Sequence, residues 1–460
     1  MSHAVRKFFA PHAWVRGRWA SDVLLEADAR GHWSRIVEGA GVLERLGATT
    51  LHGPVLPGLV NAHGHAFQRA IVGLTERASG HGNSDDFWGW RGRMYSAANR
   101  ITPEQLEAIA AFLYAELLQA GYTHVCEFHY LHNDVDGKPY ADPLEMSRAI
   151  ARAARRTGIG LTLLPTLFMR AGFAAKGLQG DQRRFASTPQ SVMEIARAVR
   201  TGSSDEERIT AGVAIHSLRS VDKGALVEIA KAASGMPLHI HIAEQLREVE
   251  DCLLEHGQRP LEFLMGQVRV DERWNMVHAT RFTGEELTVL RGTGASVVIC
   301  PSTEANLGDG IFELASWMGQ SGNWSIGSDS HVTRSWREEL RLLEYSQRLK
   351  LRVRNVAATA AVMESSAAAL FEGALLGGSA AAGLPLGGLR EGERADFVVV
   401  DRDALELAGV PGDHTLDALV FSSPESRFAR VFVAGEEALA GGERGEYESD
   451  FCEAMRELWP

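Results

Sequence analysis

Short apolar runs alternate with longer amphipathic segments through the middle of the chain, and this alternation predicts strands separated by helices. The first clear helix signal is Thr102-Pro103-Glu104-Gln105, a capping box with proline in the first turn, and the helix that it opens should stop at Gly121. Further helices are predicted over residues 142–157, 189–200 and 222–233. Eight strands that alternate with helices predict an α/β protein with a parallel (β/α)8 TIM barrel. The eight runs cover residues 55–60, 123–129, 159–167, 209–216, 237–243, 274–278, 295–300 and 323–329.

The two ends of the chain have a different pattern. Residues 12–42 alternate apolar and polar positions, as short antiparallel strands do, and a similar pattern returns at residues 395–401 and 430–435. The Ala/Gly-rich stretch 357–388 predicts small-residue helices followed by a turn-rich link. We therefore predict that both ends build one small β-sandwich domain beside the barrel. The predicted boundaries are residues 1–55 and 385–460 for the small domain, and 56–384 for the barrel.

Polar side chains able to bind a metal or transfer a proton stand at the ends of four predicted strands. His63 and His65 are two residues apart where the first strand ends, so their imidazoles share one face of the chain. Glu244, His278 and Asp329 end or follow the fifth, sixth and eighth strands. Because the carboxyl ends of barrel strands meet at one mouth, these side chains should lie close together. Paired imidazoles beside carboxylates predict a catalytic metal and a metal-assisted hydrolase.

Composition limits the classes of function. With 45% hydrophobic and 8% aromatic residues, the chain is typical of a globular protein with a large core. No apolar run approaches the length of a membrane span, and the start of the chain lacks a signal-peptide core, so we expect a cytoplasmic protein. A formal net charge of -12 argues against a nucleic-acid partner. Four widely spaced cysteines predict buried thiols rather than disulfides or a structural zinc site: Cys126, Cys252, Cys300 and Cys452.

Several motifs together resemble the amidohydrolase superfamily, and in particular its deaminase branch. They are His63-Gly64-His65, His241-Ile242-Ala243-Glu244, His278, Ser328-Asp329-Ser330 and the closing segment 392–399. The resemblance covers nearly the whole chain, including the β domain built from both ends. It implies a barrel enzyme that uses a metal ion to release ammonia from its substrate by hydrolysis.

Three further segments are similar, more narrowly, to the formimidoylglutamate deiminase family. They are residues 63–69, 216–219 and 301–310, the last of which begins Pro301-Ser302-Thr303-Glu304. This similarity implies a reaction of histidine degradation, in which N-formimino-L-glutamate and water give N-formyl-L-glutamate and ammonia. The expected partner is therefore a small molecule with two carboxylates.

The resemblance implies one divalent ion per chain, Zn2+ by preference, with Fe2+ or another divalent ion as the alternative. Its implied ligands are His63, His65, His241 and Asp329. His239 points the same way as His241 on a strand, but the His-x-x-Glu spacing to Glu244 selects His241 as the ligand. The expected role of His239 is therefore packing or support of the ligands. An ion of this kind lowers the pKa of its water toward ~7 and supplies hydroxide at neutral pH.

Three residues are expected to carry out the catalytic steps. Asp329, beside the metal, would accept the proton of the attacking water. Glu244 would protonate the imine nitrogen and then help ammonia to leave. His278 would hydrogen-bond the water or the tetrahedral intermediate, orient the attack and stabilise the developing charge.

A substrate with two carboxylates requires cationic side chains, and arginine can bind both oxygens of one carboxylate. Arg219 follows the fourth strand, and Arg91 lies in the long connection after the first strand, with Arg93 as its competitor. The resemblance completes the predicted substrate pocket with Gln68, Tyr130 and His216.

Several alternatives stay open. The fourth strand lacks the lysine with which binuclear superfamily members bridge their ions, which favours one metal and deamination over a hydrolase of dihydroorotase type. A deaminase of an aromatic base, such as guanine, a thioadenosine or adenosylhomocysteine, would need stacking aromatic residues more than arginines. A catalytically silent barrel would not need the intact ligand set. The resemblance favours a homodimer, and the roles of Glu127 and His129 remain open between support and packing.

Overall fold

The computed structural model describes residues 5–77, 87–202, 208–423, 425, 427–438 and 444–459. Its strands form two sheets, one contributed mainly by the chain ends and one by the middle of the chain. In chain order the strands are β1 (Arg6–Val15), β2 (Arg18–Ala27), β3 (Trp33–Val37), β4 (Thr49–Thr50), β5 (Val55–Pro57), β6 (Leu59–Gly64), β7 (Tyr122–His129), β8 (Gly160–Leu167), β9 (Ile209–Ala211), β10 (Val213–Ser217), β11 (Leu238–Ile242), β12 (Trp274–His278), β13 (Ser296–Ile299), β14 (Asn323–Ile326), β15 (Phe397–Val400), β16 (Phe428–Val433) and β17 (Glu436–Ala438).

Helices occupy most of the connections between the strands of the middle sheet. Among the described residues, no helix combines the length and apolar character that crossing a membrane requires. The α-helices are α1 (Phe87–Ala98), α2 (Pro103–Gln119), α3 (Glu145–Thr157), α4 (Pro189–Gly202), α5 (Lys223–Ala232), α6 (Leu246–His256), α7 (Pro260–Gln267), α8 (Gly284–Arg291), α9 (Pro301–Leu307), α10 (Leu314–Gly319), α11 (Trp336–Leu351), α12 (Ser366–Ala382), α13 (Thr415–Phe421) and α14 (Arg444–Leu458). Short 3-10 turns cover Ala66–Ile71, Gly180–Phe185, Leu218–Ser220, Leu405–Leu407 and Gly412–His414.

Local sequence signals explain several helix boundaries. The Thr102 hydroxyl accepts a hydrogen bond from Gln105 N, and the Gln105 side chain accepts one from Thr102 N, so the predicted capping box opens α2. Gly158 ends α3 in the left-handed conformation, with φ 78°. Helix α3 begins at Glu145 rather than at Asp142, because the Asp142 carboxylate accepts a backbone hydrogen bond in a preceding turn.

The sheet from the chain ends has the order β17-β16-β15-β5-β1-β2-β3, with β4 beside β1. Its buried face is aromatic: Phe397 stacks on Phe432 with ring centroids 4.2 Å apart, and Phe8 meets Phe397 edge-on at 5.1 Å. The prediction of a β domain built from both ends is therefore confirmed. Strand β5 belongs to this sheet, since it pairs with both β1 and β15. The predicted domain boundaries stay a prediction.

The middle sheet is a parallel barrel, as predicted. Its order is β14-β13-β12-β11-β10-β8-β7-β6, and β9 pairs with β8 beside this path. The barrel closes between its first and last strands through Gly64, which pairs with Asp329. Two backbone hydrogen bonds hold this seam, from Asp329 N to His63 O at 3.0 Å and from His65 N to Asp329 O at 3.2 Å.

The fourth predicted strand differs from the expectation because Gly212 divides it into β9 and β10. A β-carbon at Gly212 would lie 2.6 Å from the carbonyl oxygen of Pro237, so glycine permits this close approach. Only β10 continues the barrel order, and it carries His216 to the mouth.

The eighth strand is shorter than predicted, because β14 ends at Ile326 and Asp329 lies beyond it. Gly327 begins the turn that follows, where a β-carbon would lie 2.6 Å from the β-carbon of His63. Asp329 itself has φ 45°, a conformation that turns the chain after the strand. The turn therefore places the Asp329 carboxylate over the seam of the barrel.

Helix α12 packs against the barrel at the amino end of the strand that carries His241. The His239 imidazole bonds the carbonyl oxygen of Ala381 at 2.9 Å, and the Thr162 hydroxyl donates to that of Ala382 at 3.0 Å. His239 thus has the packing role expected for it.

Glycines in α12 allow the helix to touch the barrel backbone directly. A β-carbon at Gly377 would overlap the carbonyl oxygen of Trp324 in β14, and one at Gly378 would lie 2.8 Å from the β-carbon of Val60 in β6. These contacts join α12 to the two strands between which the barrel closes, so side chains larger than hydrogen are excluded there.

Gly377→Ala is expected to lower the free energy of unfolding by about 3 kcal/mol, because the added methyl group must displace backbone. The apparent Tm, followed by circular dichroism, checks this expectation. Gly266→Ala in α7 is the matched control, since a β-carbon there has no neighbour within 4 Å and alanine favours helix. A Tm for Gly377→Ala equal to that of Gly266→Ala would contradict the close contact.

Candidate active site

The four side chains predicted to hold a metal converge at the carboxyl end of the barrel. His63 lies in β6 and His65 directly after it, His241 lies in β11, and Asp329 follows β14. The Nε2 atoms of His63 and His241 are 3.0 Å apart. The Asp329 Oδ1 atom lies 3.6 Å from His63 Nε2 and 3.3 Å from His65 Nε2. All four side chains are buried.

Backbone carbonyls orient two of these imidazoles. His65 Nδ1 lies 2.8 Å from the oxygen of Phe128, and His241 Nδ1 lies 2.8 Å from the oxygen of His216. A carbonyl oxygen only accepts, so each Nδ1 carries the hydrogen. In the neutral rings, Nε2 then presents a lone pair to the centre of the site.

Burial sets the charges of these groups. It lowers the pKa of His63 to about 3, and it holds the pKa of His241 well below the usual value, with the nearby imidazoles adding to the effect. Burial alone would raise the pKa of Asp329, but the imidazoles of His63 and His65 outweigh it, and this pKa lies well below its usual range. The site therefore combines neutral imidazoles with an ionised carboxylate.

This donor set fits a divalent cation. The Nε2 atoms of His63 and His241 face each other at 3.0 Å, so a single ion could contact both. Imidazole nitrogen and carboxylate oxygen are the ligands that zinc and related divalent ions accept in hydrolases. The residues present thus suit the metal that the sequence predicts.

Glu244 and His278 lie beside this donor set. His278 Nε2 is 3.7 Å from Glu244 Oε1 and 3.7 Å from Asp329 Oδ2. Burial raises the pKa of Glu244, against the opposing effect of His278. Burial by itself would lower the pKa of His278. The carboxylates around it, Glu244 foremost, have the opposite and larger effect, and they raise this pKa to about 10. A carboxyl group with a raised pKa beside an imidazole is suited to proton transfer.

The backbone at the mouth adopts conformations that are uncommon outside glycine. Ala243, His278 and Asp329 have φ angles of 49°, 70° and 45°. Each residue stands where a strand ends and the chain turns, so the surrounding packing must hold it there at a cost of order 1–3 kcal/mol. Such clustering is characteristic of active sites.

A pocket opens over these residues. All five residues predicted to bind substrate line it: Gln68, Arg91, Tyr130, His216 and Arg219. Glu244, His278 and Asp329 also line it, so the pocket leads directly to the proton-transfer groups. Several further residues line the pocket that were not predicted from the sequence, among them Trp90, Tyr95, Phe168, Arg170 and Gln182.

Arg91 and Arg93 are on helix α1 rather than in a loop, contrary to the expectation. Arg91 is half-buried and lines the pocket, whereas Arg93 is exposed and does not. Residues two positions apart on a helix point to different sides, which explains the difference. The apolar spacing of Met94, Tyr95 and Ala98, all buried, is the signal that would have predicted the helix.

A hydrogen bond to Glu127 holds the turn that carries Gln68. The Gln68 side chain donates to the Tyr130 hydroxyl at 3.0 Å. Glu127 accepts hydrogen bonds from Ala66 N at 2.7 Å and from the Tyr114 hydroxyl at 3.1 Å. Glu127 therefore supports the turn after His65, a role that the sequence left open.

Asn61 and Ser328 form a second contact across the seam of the barrel, and sequence reasoning gave neither a role. Asn61 Oδ1 accepts from Ser328 N, and Asn61 Nδ2 donates to Ser328 Oγ, both at 2.8 Å. The signal available in the sequence was position, since Asn61 stands two residues before His63 and Ser328 directly precedes Asp329. The pair fixes β6 against the turn that carries Asp329.

Known proteins with similar sequences or structures agree with this architecture. The family model described as the amidohydrolase family matches residues 55–438. Formimidoylglutamate deiminase of Pseudomonas aeruginosa is 43% identical over 455 residues, which cover 98% of this chain and 99% of that protein. The 8-oxoguanine deaminase of the same organism is 27% identical over 457 residues, 93% of this chain and 94% of that protein.

A solved structure gives the same result. The crystal structure of an amidohydrolase from Brucella melitensis superimposes with a TM-score of 0.92 at 40% identity, covering 99% of this chain and 100% of that one. Together with the family model, which spans the barrel and part of the small domain, these matches extend over the fold and the site described above. The chain belongs to the amidohydrolase family.

Proposed function

We propose that this chain hydrolyses N-formimino-L-glutamate to N-formyl-L-glutamate and ammonia. The observation that carries the proposal is an arginine-lined pocket that opens onto Glu244, His278 and Asp329, with neutral imidazoles beside them. The activity named for the Pseudomonas aeruginosa relative supports the choice of substrate. The reaction breaks one carbon–nitrogen bond of an amidine and forms a carbon–oxygen bond from water.

The metal chemistry rests on the residues that would hold the ion. His63, His65, His241 and Asp329 would bind one Zn2+ per chain, since their nitrogen and oxygen donors suit this ion. When bound, a divalent ion lowers the pKa of water toward ~7 and supplies hydroxide at neutral pH.

The proton transfers belong to the side chains. Asp329 takes a proton from the attacking water, because its Oδ2 atom faces the interior of the site. Glu244 gives its proton to the imine nitrogen, since burial keeps this carboxyl group protonated to higher pH than usual. The proton that Asp329 took from the water then passes to the same nitrogen, which leaves as ammonia while the remaining proton of the attacking oxygen returns to Glu244 and the carbonyl group forms. His278 Nε2, within 3.7 Å of both carboxylates, orients the oxygen and stabilises its charge.

Arginines distinguish this substrate from an aromatic base. Arg91 and Arg219 each offer a guanidinium that can bind a carboxylate through two hydrogen bonds. Gln68, Tyr130 and His216 complete the polar lining. A purine deaminase would gain little from two guanidinium groups, so the purine alternative is the weaker proposal. A homodimer and a cytoplasmic location stay predictions.

Metal content tests the ligand set. His241→Gln is expected to lower the zinc bound per chain, measured by inductively coupled plasma mass spectrometry, to below half of the wild-type value, because it removes one nitrogen ligand. His239→Gln, two residues earlier in β11, is the matched control and should keep its zinc. Chelation should abolish ammonia release, and added Zn2+ should restore it. Equal zinc content in both variants would exclude His241 as a ligand.

Glu244→Gln tests the proton donor. Glutamine keeps the shape of the side chain but cannot give up a proton, so kcat is expected to fall by about 10²- to 10⁴-fold. Ammonia release from N-formimino-L-glutamate measures kcat, and zinc content shows that the site remains intact. A kcat within tenfold of wild type would refute the role of Glu244.

Replacing the pocket arginines tests whether the substrate carries carboxylates. Arg219→Ala and Arg91→Ala are each expected to lower kcat/KM by roughly 10- to 100-fold, the value of a hydrogen bond to a charged group. Arg93→Ala, on the exposed side of the same helix as Arg91, is the matched control and should match wild type. Guanine, 8-oxoguanine and 5'-methylthioadenosine are assayed in parallel. Ammonia released only from a purine would retain the metal chemistry and overturn the proposed substrate.

A further inference from the structure

Two buried carboxylates of segment 301–310, which the reaction has not used so far, lie near the proton-transfer residues, and one of them, Glu304, contacts His278. Glu304 Oε1 lies 3.3 Å from His278 Nδ1. Asp309 accepts a hydrogen bond from the side chain of Gln245, the neighbour of Glu244 in the chain. Both carboxylates are buried, with exposures of 3% and 0%. A buried carboxylate is costly unless its partners compensate it, so these contacts require an explanation.

Glu304 is held rigidly. Its Oε1 atom also accepts a hydrogen bond from Cys300 N at 2.8 Å, where β13 passes into α9. The backbone N of Glu304 donates to Cys300 O at 2.9 Å, and its carbonyl oxygen accepts from Asp309 N at 2.9 Å. The carboxylate therefore cannot move far from the position that it has against His278.

The two nitrogens of His278 face different surroundings. Nδ1 faces Glu304 behind the site, and Nε2 faces Glu244 and Asp329 at the front. A carboxylate accepts hydrogen bonds, so Glu304 retains the hydrogen on Nδ1 and fixes the ring about its own axis.

A metal held by this cluster is the competing explanation. Donor atoms of His278, Cys300 and Glu304 lie within 4.8 Å of one another. The Glu304 oxygen that faces His278 Nδ1 also accepts a hydrogen bond from Cys300 N at 2.8 Å, so it already has hydrogen-bond partners on two sides. A hydrogen-bonded carboxylate–imidazole pair accounts for the contact without an ion.

We propose that Glu304 is a positioning residue. It holds the imidazole of His278 so that Nε2 is directed at the reacting atoms between Glu244 and Asp329. Its role resembles that of carboxylates that orient metal-bound or catalytic histidines from behind. The inference rests on the proposed function for its kinetic readout, but its spectroscopic readout requires no substrate.

Glu339 provides a matched control. Its carboxylate is buried and accepts hydrogen bonds from Ser302 N at 2.9 Å and from the Ser302 hydroxyl at 2.6 Å. Ser302 lies in α9, the helix that also carries Glu304. Burial raises its pKa to about 8. Both of its carboxylate oxygens bond Ser302, so Glu339→Gln perturbs α9 without removing the partner of the imidazole.

The kinetic experiment compares Glu304→Gln, Glu304→Ala and Glu339→Gln in the zinc-loaded protein. We expect kcat for ammonia release from N-formimino-L-glutamate to fall by about 10-fold in Glu304→Gln, which keeps an acceptor oxygen, and by about 100-fold in Glu304→Ala. KM should change by less than about threefold, because Glu304 does not line the pocket. Glu339→Gln should keep kcat within about threefold of wild type.

The spectroscopic experiment records nitrogen-15 spectra of histidine-labelled protein without substrate. The His278 signals are assigned by their loss in His278→Gln, and their shifts report the protonation and hydrogen bonding of each ring nitrogen. We expect these signals to move in Glu304→Gln and to stay unchanged in Glu339→Gln. Unchanged His278 signals in Glu304→Gln, or an equal loss of kcat in Glu339→Gln, would overturn the proposal.

If the wild-type protein releases no ammonia from N-formimino-L-glutamate, the proposed function fails, while the His278 signals still decide the role of Glu304.

Discussion

The hydrogen bonds that close the barrel are the constraint on which the site depends. The peptide groups of His63, His65 and Asp329 bond one another across the seam between β6 and β14. Asn61 and Ser328 add two side-chain hydrogen bonds beside them. Three of the four residues that would bind the metal are therefore also those that join the first strand to the last. Any movement of the seam would separate the Asp329 carboxylate from the imidazoles, so closure of the fold and assembly of the site are one event.

Electrostatics in this buried space explains why so many polar groups are tolerated. Burial keeps the imidazoles of His63 and His241 neutral, which makes them electron-pair donors instead of cations. The carboxylates of Glu244, Asp329 and Glu304 surround one imidazole, that of His278. Mutual contact of acids and bases offsets the cost of removing them from water. The same arrangement gives one fold both a proton donor and a proton acceptor within 4 Å of the same imidazole nitrogen.

The proposed substrate pocket is lined in part from outside this inner layer. Three of its lining residues come from elements outside the barrel strands: helix α1 carries Arg91, and 3-10 turns carry Gln68 and Arg219. Such connections vary without disturbing the strands, which is why one barrel supports different substrates. The supporting residues join the two layers. Glu127 holds the turn of Gln68, and the His216 carbonyl orients His241 while its ring lines the pocket.

The sequence by itself determined the parallel barrel, the β domain from both ends and the side chains that meet at the mouth. These follow from local periodicity, from capping signals such as that of Thr102, and from the rule that strand ends converge. Only the tertiary structure decided which of two similar residues faces the pocket: Arg91 lines it and Arg93 does not, because they lie on a helix. It also revealed Glu304 behind His278 and Asn61 against Ser328. Contacts between residues far apart in the chain leave no periodic trace in it, since they depend on how the elements pack and not on the local conformation of either residue.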